Sequence, residues 1–334
     1  MTVSIKKTTN KFYIASKLSA MLSSILSSND LLSAIRAENL REAINILAKK
    51  PLGSYVSGVY SVKGGSIGSI VEAIDEYTRA SIKTLTMYLD KKSVDTLLFF
   101  EKIYDVLNIV SIYDRVSSGE KASQILPIGI MYLENVAVED IDSLDKLYSI
   151  LVRYNIFHKA HYVKRHGIEP YVIACKLLSE MDISGIKHPI IRKIMGLAHD
   201  YVLTRLALIY GEDVLRYVKR LHTYSLSELS MIASSRSVDE LASILSYGYY
   251  LDYGSIVRDL QRIGTFFDVS HLIHVVHLLS ASTDLLYPVY PCLGVRLAIL
   301  LHGENLFAKL VLVSKYTGFY VREVEDIISK WWVV

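Results

Sequence analysis

Along most of this chain, apolar residues recur at the three- and four-residue spacing of a single helix face. The stretch 304–330 shows the pattern twice, once on each side of Gly318, which can adopt the left-handed backbone that ends a helix. Glu304 is expected at the start of the first of these helices, where the helix dipole favours an acid. The apolar positions of the two faces are Leu306, Leu310, Val311 and Val313, then Val321, Val324, Ile327 and Ile328. The stretch therefore predicts a helix hairpin whose role is packing.

Alternation with a period of two, which would indicate strands, is almost absent, so the chain is predicted to be all-α. Long helices are predicted over 70–89, 94–116 and 190–210, with further helices over 250–267 and 271–279. The stretch 154–179 is predicted to be helical and basic, with bends at Gly167 and Pro170. The glycine-rich stretch 52–69 is expected to be irregular.

Part of that irregular stretch, GGSIGS at 64–69, invites comparison with a phosphate-binding loop. It lacks the lysine and following hydroxyl residue of a Walker loop, and no convincing strand leads into it. The favoured interpretation is a turn in which Ser66 or Ser69 caps the next helix.

The amino-acid composition narrows the classes of protein to which this chain can belong. Of the 334 residues, 51% are hydrophobic and 21% are charged, and the mean hydropathy is +0.30. A membrane span needs about 18 consecutive apolar residues, but Arg296 interrupts 287–301 and Lys17 interrupts 12–26. The basic start of the chain is not followed by the apolar segment of a signal peptide. We expect a soluble protein whose surplus apolar surface contacts partners.

Charge and cysteine content exclude other classes. Lys and Arg number 37 against 34 acids, a net charge of +3, too mild to favour nucleic-acid binding. Cys175 and Cys292 lie far apart, which favours neither a disulfide framework nor a cysteine zinc site, and fits a reducing cytoplasm.

Two sequence markers recur with a period near one hundred residues. The first is a short capped helix, beginning at Asn39, Ser143 and Ser237, at separations of 104 and 94 positions. The second is an acid in front of an apolar helical segment, at Asp105, Asp200 and Glu304, at separations of 95 and 104 positions. The interleaved recurrence predicts three related helical units, at 1–120, 121–222 and 223–334.

Arranged in this way, the chain resembles the C subunits of archaeal A-type ATP synthases, which are the equivalents of the d subunits of V-type ATPases. The segment 11–47 is similar to the opening helices of that family. Tyr104, Asp105 and Asn108 match its Tyr-Asp-x-x-Asn helix. In the last hairpin, the matching positions are Glu304, Lys309, Leu310, Lys315 and Gly318. Phe307 stands where the family usually has asparagine, and Arg296 lies in a segment that normally holds another acid.

The resemblance implies a funnel of three pseudo-symmetric helical units around a pseudo-threefold axis. It implies a non-catalytic subunit without a cofactor, peripheral at the cytoplasmic face of the cell membrane. Its partners would be the membrane rotor ring and the central-stalk shaft subunits, between which it transmits torque for ion transport and ATP synthesis. Lys17, Lys309 and Lys315 are candidate partner contacts. The alternative is a helical-repeat adaptor of another cytoplasmic complex.

Histidines are the main candidates for chemistry. His271, His274 and His277 lie three apart after Asp268, so adjacent pairs could share a metal, but histidines of a partly buried helix are the favoured interpretation. An all-α metalloprotein built on this helix is a third hypothesis. His158, His161 and His166 lie among basic residues and predict a basic face, for which exposure to solvent is the favoured interpretation and contact with an acidic partner or lipid headgroups the alternative.

No hydrolase or metalloprotease motif is present in the sequence. Asp105 and Glu304 are interpreted as helix-start acids or as ion-pair partners of Lys or Arg. Trp331 and Trp332 are expected either to seal the last helix against a neighbouring unit or to lie at an interface.

Overall fold

A computed structural model describes residues 2–63, 65–122, 125–237, 240–241, 244, 269–283, 285 and 290–332. Within these ranges the chain is helical and contains no strand, which confirms the prediction of an all-α protein. The helix predicted over 250–267 lies outside the described residues.

The helices are numbered in chain order. In the first part of the chain they are α1 Thr2–Ser24, α2 Ser28–Arg36, α3 Leu40–Leu47, α4 Pro51–Lys63, α5 Ile67–Tyr88 and α6 Lys91–Ser117. The next are α7 Ile130–Leu133, α8 Leu144–Arg153, α9 Pro170–Ser179, α10 Pro189–Tyr210 and α11 Leu226–Ser234. The last are α12 Val269–Thr283, α13 Tyr290–Thr317 and α14 Val321–Trp331. Short 3₁₀ helices occupy Val138–Asp140, His161–Lys164 and Gly211–Tyr217.

The described residues belong to two compact units. The first contains those within 1–94, 259–279 and 285–334, and the second contains those within 95–258 and 280–284. The division into three units at 120 and 222 stays a prediction.

In the first unit, α13 packs against α5, α2, α3 and α14. Two segments of the chain, Tyr13–Arg36 and Leu293–Thr317, have the length and apolar composition of a membrane span. The first contains the break between α1 and α2. In the second, 94% of the most apolar window is buried inside the structure, as expected of a core helix.

The predicted hairpin at the end of the chain is confirmed. Gly318 has φ +72° and its N–H donates to the Ser314 carbonyl at 2.9 Å, so it ends α13. Val324, Ile327 and Ile328 of α14 are buried. The prediction that Glu304 begins a helix is wrong, because α13 starts at Tyr290 and its apolar face continues through that position.

The stretch 52–69 differs from the prediction as well. Most of it is helical, since Pro51 opens α4 and fits the first turn of a helix. Gly53 is required for close packing: a Cβ there would lie 2.1 Å from the Leu47 backbone. Ser66 does cap α5, as predicted, because its hydroxyl accepts from the Ser69 N–H at 3.2 Å.

The prediction of a helical 154–179 is wrong for its first half. Asn155, with φ +53°, lies just after the end of α8 and prevents the helix from continuing. Gly167, with φ +76°, turns the backbone before Pro170 begins α9. The intervening loop is held by Tyr113, whose hydroxyl donates to the Arg165 carbonyl at 2.6 Å. Its backbone is therefore held by this tertiary contact, by local turns and by the 3₁₀ helix His161–Lys164, and not by an α-helix.

Two exposed glycines of the first unit should respond to alanine with opposite sign. Gly318→Ala should lower the free energy of unfolding by about 1 kcal/mol, because alanine is strained at φ +72° although the space is open. Gly58→Ala in α4, also with open space, should raise it by about 0.5–1 kcal/mol. Urea denaturation measures both, and equal effects of the two changes would contradict the assigned backbone conformations.

Candidate functional site

The three acids of the second sequence marker are all buried inside long helices. Asp105 on α6 and Asp200 on α10 have no exposed surface, and Glu304 on α13 is 2% exposed. Burying a carboxylate is costly unless hydrogen bonds satisfy it. Each of the three accepts from at least one backbone N–H of a segment distant in sequence, at the start of a short helix for Asp105 and just before one for Asp200 and Glu304. The interpretation as helix-start acids is therefore wrong, and these backbone groups take the place of the expected Lys or Arg partners.

Asp105 holds the start of α7. Its Oδ2 accepts from the Ile130 N–H at 2.8 Å and its Oδ1 from the Met131 N–H at 3.0 Å. One helix turn earlier on α6, Glu101 Oε2 accepts from the Gly129 N–H at 2.9 Å. Three of the N–H groups that a helix start leaves without an internal partner are thereby satisfied.

Asn108 completes this contact on the same face of α6. Its side-chain Nδ2 donates to the Ile128 carbonyl at 3.0 Å, and its Oδ1 accepts from the Leu126 N–H at 2.8 Å. Gly129 has φ +106°, and a Cβ there would lie 2.5 Å from Asp105 Oδ1. Glycine is thus required at this position both for its backbone conformation and for space.

Asp200 makes the densest of the three contacts. Its Oδ2 accepts from the N–H groups of His222 at 2.9 Å, Thr223 at 2.5 Å and Tyr224 at 3.1 Å. The same oxygen accepts from the Thr223 hydroxyl at 2.6 Å, and Oδ1 lies 3.1 Å from His199 Nδ1. Ser225, the residue after Tyr224, begins the capping box of α11.

Glu304 holds the segment that leads into α2. Its Oε1 accepts from the Leu26 N–H at 2.8 Å, while the Trp332 indole donates to the Leu26 carbonyl at 2.8 Å. The Ser28 hydroxyl donates to the Trp332 carbonyl. Trp332 is 1% exposed and its ring lies 5.0 Å from that of Phe307. Trp332 therefore packs the end of the last helix against residues of the same compact unit.

The N-caps predicted by the first marker are confirmed in the described residues. In each, the cap side chain accepts from the N–H three residues later. The pairs are Asn39 with Glu42 at 3.0 Å, Ser143 with Lys146 at 3.3 Å and Ser237 with Glu240 at 3.1 Å.

Burial acts on the three carboxyl groups with different results. It raises the pKa of Asp105 and of Glu304 to about 8, against the opposing effect of their backbone hydrogen bonds. Burial also raises the pKa of Asp200, but the donors of His199 and Thr223 outweigh it and hold the pKa below its usual value. Asp200 is thus the site best suited to a permanent negative charge.

Two of the three candidate partner lysines are engaged within the first unit. Lys309, with a side chain 12% exposed, lies 2.5 Å from Asp75 Oδ1, and Asn305 donates to the same oxygen at 2.9 Å. Lys315 donates to the Ala37 carbonyl at the end of α2. Lys17 is exposed on α1. Their role as partner contacts stays a prediction.

Two histidines of α12, His274 and His277, have the features of core residues, while His271 is half-buried. His274 is 4% exposed and His277 is 5% exposed, and burial lowers the pKa of His277 to about 4. In the part of the chain that the structure describes, no three His, Cys, Asp or Glu side chains are grouped to hold a metal ion. Asp268 lies outside that part. His158, His161 and His166 are exposed, as predicted for a basic face.

Sequence analysis missed Glu101 and Asp75 as members of these contacts. Glu101, Asp105 and Asn108 lie at i, i+4 and i+7 on one buried face of α6, and this spacing is the signal that could have found them together. No such spacing marks Asp75, because its partners, Asn305 and Lys309, come from another helix.

Comparison of the sequence with protein-family models and with curated proteins gives no match. The function must therefore be inferred from the residues and contacts described above.

Replacing Asp200 with asparagine should destabilise the fold. The amide group keeps the size of the side chain but presents an NH₂ to backbone donors, so Asp200→Asn should lower the free energy of unfolding by about 1–3 kcal/mol. Asp213→Asn is the matched control, since Asp213 is exposed, and it should change stability by less than about 0.5 kcal/mol. Equal effects in chemical denaturation would argue against the contact.

Glu304 should make stability fall as the pH rises. Because its folded-state pKa is about 8 and its usual value is 4.5, its contribution is fully present below about pH 4.5 and is lost towards pH 8. Glu304→Gln stays neutral and can still accept from Leu26. The free energy of unfolding of the variant, measured relative to that of wild type, should therefore be higher at pH 8 than at pH 5 by at least about 1 kcal/mol.

Urea denaturation at the two pH values measures this difference. The exposed Glu120→Gln is the control and should show no such gain. A Glu304→Gln curve parallel to wild type at both pH values would contradict the raised pKa.

Proposed function

We propose that this protein is a non-catalytic central-stalk subunit of a rotary A/V-type ATP synthase or ATPase. It couples the membrane rotor ring to the central shaft and transmits torque between them. The observation that carries the proposal is the recurrence of one contact at Asp105, Asp200 and Glu304: a buried carboxyl group on a long helix accepts from the backbone at, or just before, the start of a distant short helix.

The order of these contacts supports a closed arrangement of three units. Asp105 of the proposed first unit holds α7 of the second, and Asp200 of the second holds the start of α11 in the third. Glu304 of the third unit returns to Leu26 of the first. A chain in which each unit holds the next, and the last holds the first, fits a pseudo-threefold funnel.

The chemistry of the contacts supports a scaffold more than an enzyme. The oxygens of Asp105 accept from the Ile130 and Met131 N–H groups of the same chain, and those of Asp200 accept from its His222–Tyr224 segment. Carboxylates occupied in this way stiffen the connections between helices. A protein that transmits torque requires such stiffness.

The proposal is tested by binding. The purified protein should bind detergent-solubilised rotor ring and, separately, the shaft heterodimer, and should hydrolyse no ATP alone. Retention of neither partner under gentle detergent conditions would overturn the proposal. Binding of an unrelated cytoplasmic assembly instead would favour the helical-repeat adaptor.

Lys17 is the candidate contact that can be tested without disturbing the fold. Because it is exposed, Lys17→Glu should slow association with a partner severalfold at low salt and leave the unfolding midpoint unchanged. Lys193→Glu, at another exposed position, is the control. Identical association rates for the two variants, measured by surface plasmon resonance, would remove Lys17 from the interface.

A further inference from the structure

The second unit contains a cavity that the proposed function does not use. Its volume is about 350 Å³, within the usual size range of small-molecule sites. The residues 175–183, around the end of α9, form one side, α10 forms another, and the segment 217–222 forms the third. Its apolar wall includes Leu178, Met181 and Leu203.

Two histidines lie at the polar side of the cavity. The His199 and His222 rings are 4.8 Å apart and nearly perpendicular. His199 is fixed by Asp200 through Nδ1, and its Nε2 has no hydrogen bond to a described residue. His199 can therefore offer a ring nitrogen to a bound molecule, and the His222 ring lines the cavity beside it.

Two cations lie beside these histidines, at Lys219 and Arg220. Within the described residues, neither has a carboxylate at ion-pair distance. Both are exposed, so they can reach a ligand in the cavity while their charge remains hydrated until it binds.

The two acids at the cavity are already engaged. Glu180 accepts from the Tyr162 hydroxyl at 3.3 Å. Asp182 accepts from the Ser184 hydroxyl at 2.5 Å and from the Gly185 N–H at 3.2 Å. The donors of Lys219 and Arg220 are therefore available to a bound molecule, whereas the acids already accept hydrogen bonds, so the cavity is suited to a ligand that accepts hydrogen bonds.

The segment that carries the cations is held in place. Asp200 accepts from the His222 N–H, and Gly196 allows the close approach, since a Cβ there would lie 2.7 Å from the His222 Cβ. A site held in advance loses less conformational entropy on binding. Cys175 does not make the cavity reactive, because burial raises the pKa of its thiol to about 12.

We infer that this cavity binds a small organic anion, a molecule with a phosphate or carboxylate group held by Lys219, Arg220 and His222. The apolar wall would contact the uncharged part of the molecule. This inference does not depend on the proposed stalk function, because binding to the isolated protein is sufficient to establish it.

Isothermal titration calorimetry with pyrophosphate and with citrate tests the inference. At least one should bind saturably, and the two arms separate phosphate from carboxylate recognition. Lys219→Gln combined with Arg220→Gln should weaken binding at least tenfold, as expected for the loss of charge-assisted hydrogen bonds. Arg216→Gln, four residues earlier and 80% exposed, is the control and should bind as wild type does.

Three results would overturn the inference. They are no saturable binding of either anion at millimolar concentration, unchanged binding by the double variant, or preferential binding of the polyamine spermidine. NMR of the His222 ring adds a readout of location: its C–H resonances should shift on titration of wild type and not of the double variant. Unshifted resonances during saturable binding would place the ligand elsewhere.

Discussion

A carboxyl group buried on a core helix is the constraint on which much of this structure depends. Asp105, Asp200 and Glu304 lie in the helices that form the core, where a carboxyl group without hydrogen-bond partners would cost several kcal/mol. Backbone N–H groups at or just before the start of another helix supply those partners. Each buried acid therefore determines which distant segment must dock on it.

The same constraint explains the end of the chain. Leu26 is held through its N–H by Glu304 and through its carbonyl by Trp332, so both polar groups of one buried residue are satisfied by the last hairpin. Lys315 on the Ala37 carbonyl secures the other end of α2. The hairpin thus closes around α2 by hydrogen bonds, while its apolar faces supply the packing.

Local signals in the sequence predicted local structure well. The caps at Asn39, Ser143 and Ser66 and the stop at Gly318 depend on residues within four positions, so they were predictable. Glycine was the main source of error, because its usual role in turns hid a packing role. Gly53 lies inside α4, where only a glycine permits contact with the end of α3. Such a requirement comes from tertiary structure.

The positions of the three acids were predictable from the sequence, but their partners were not, because a hydrogen bond to a backbone N–H places no demand on the identity of the partner residue. Asp200 shows how such a contact can acquire a second role. The side-chain donors of His199 and Thr223 keep its pKa low, and the segment it holds continues back to Arg220 at the cavity. A ligand there would therefore act on the segment that leads into α11. The contact of Asp200 with this segment, which sets the fold in this region, would thus also connect the cavity to α11.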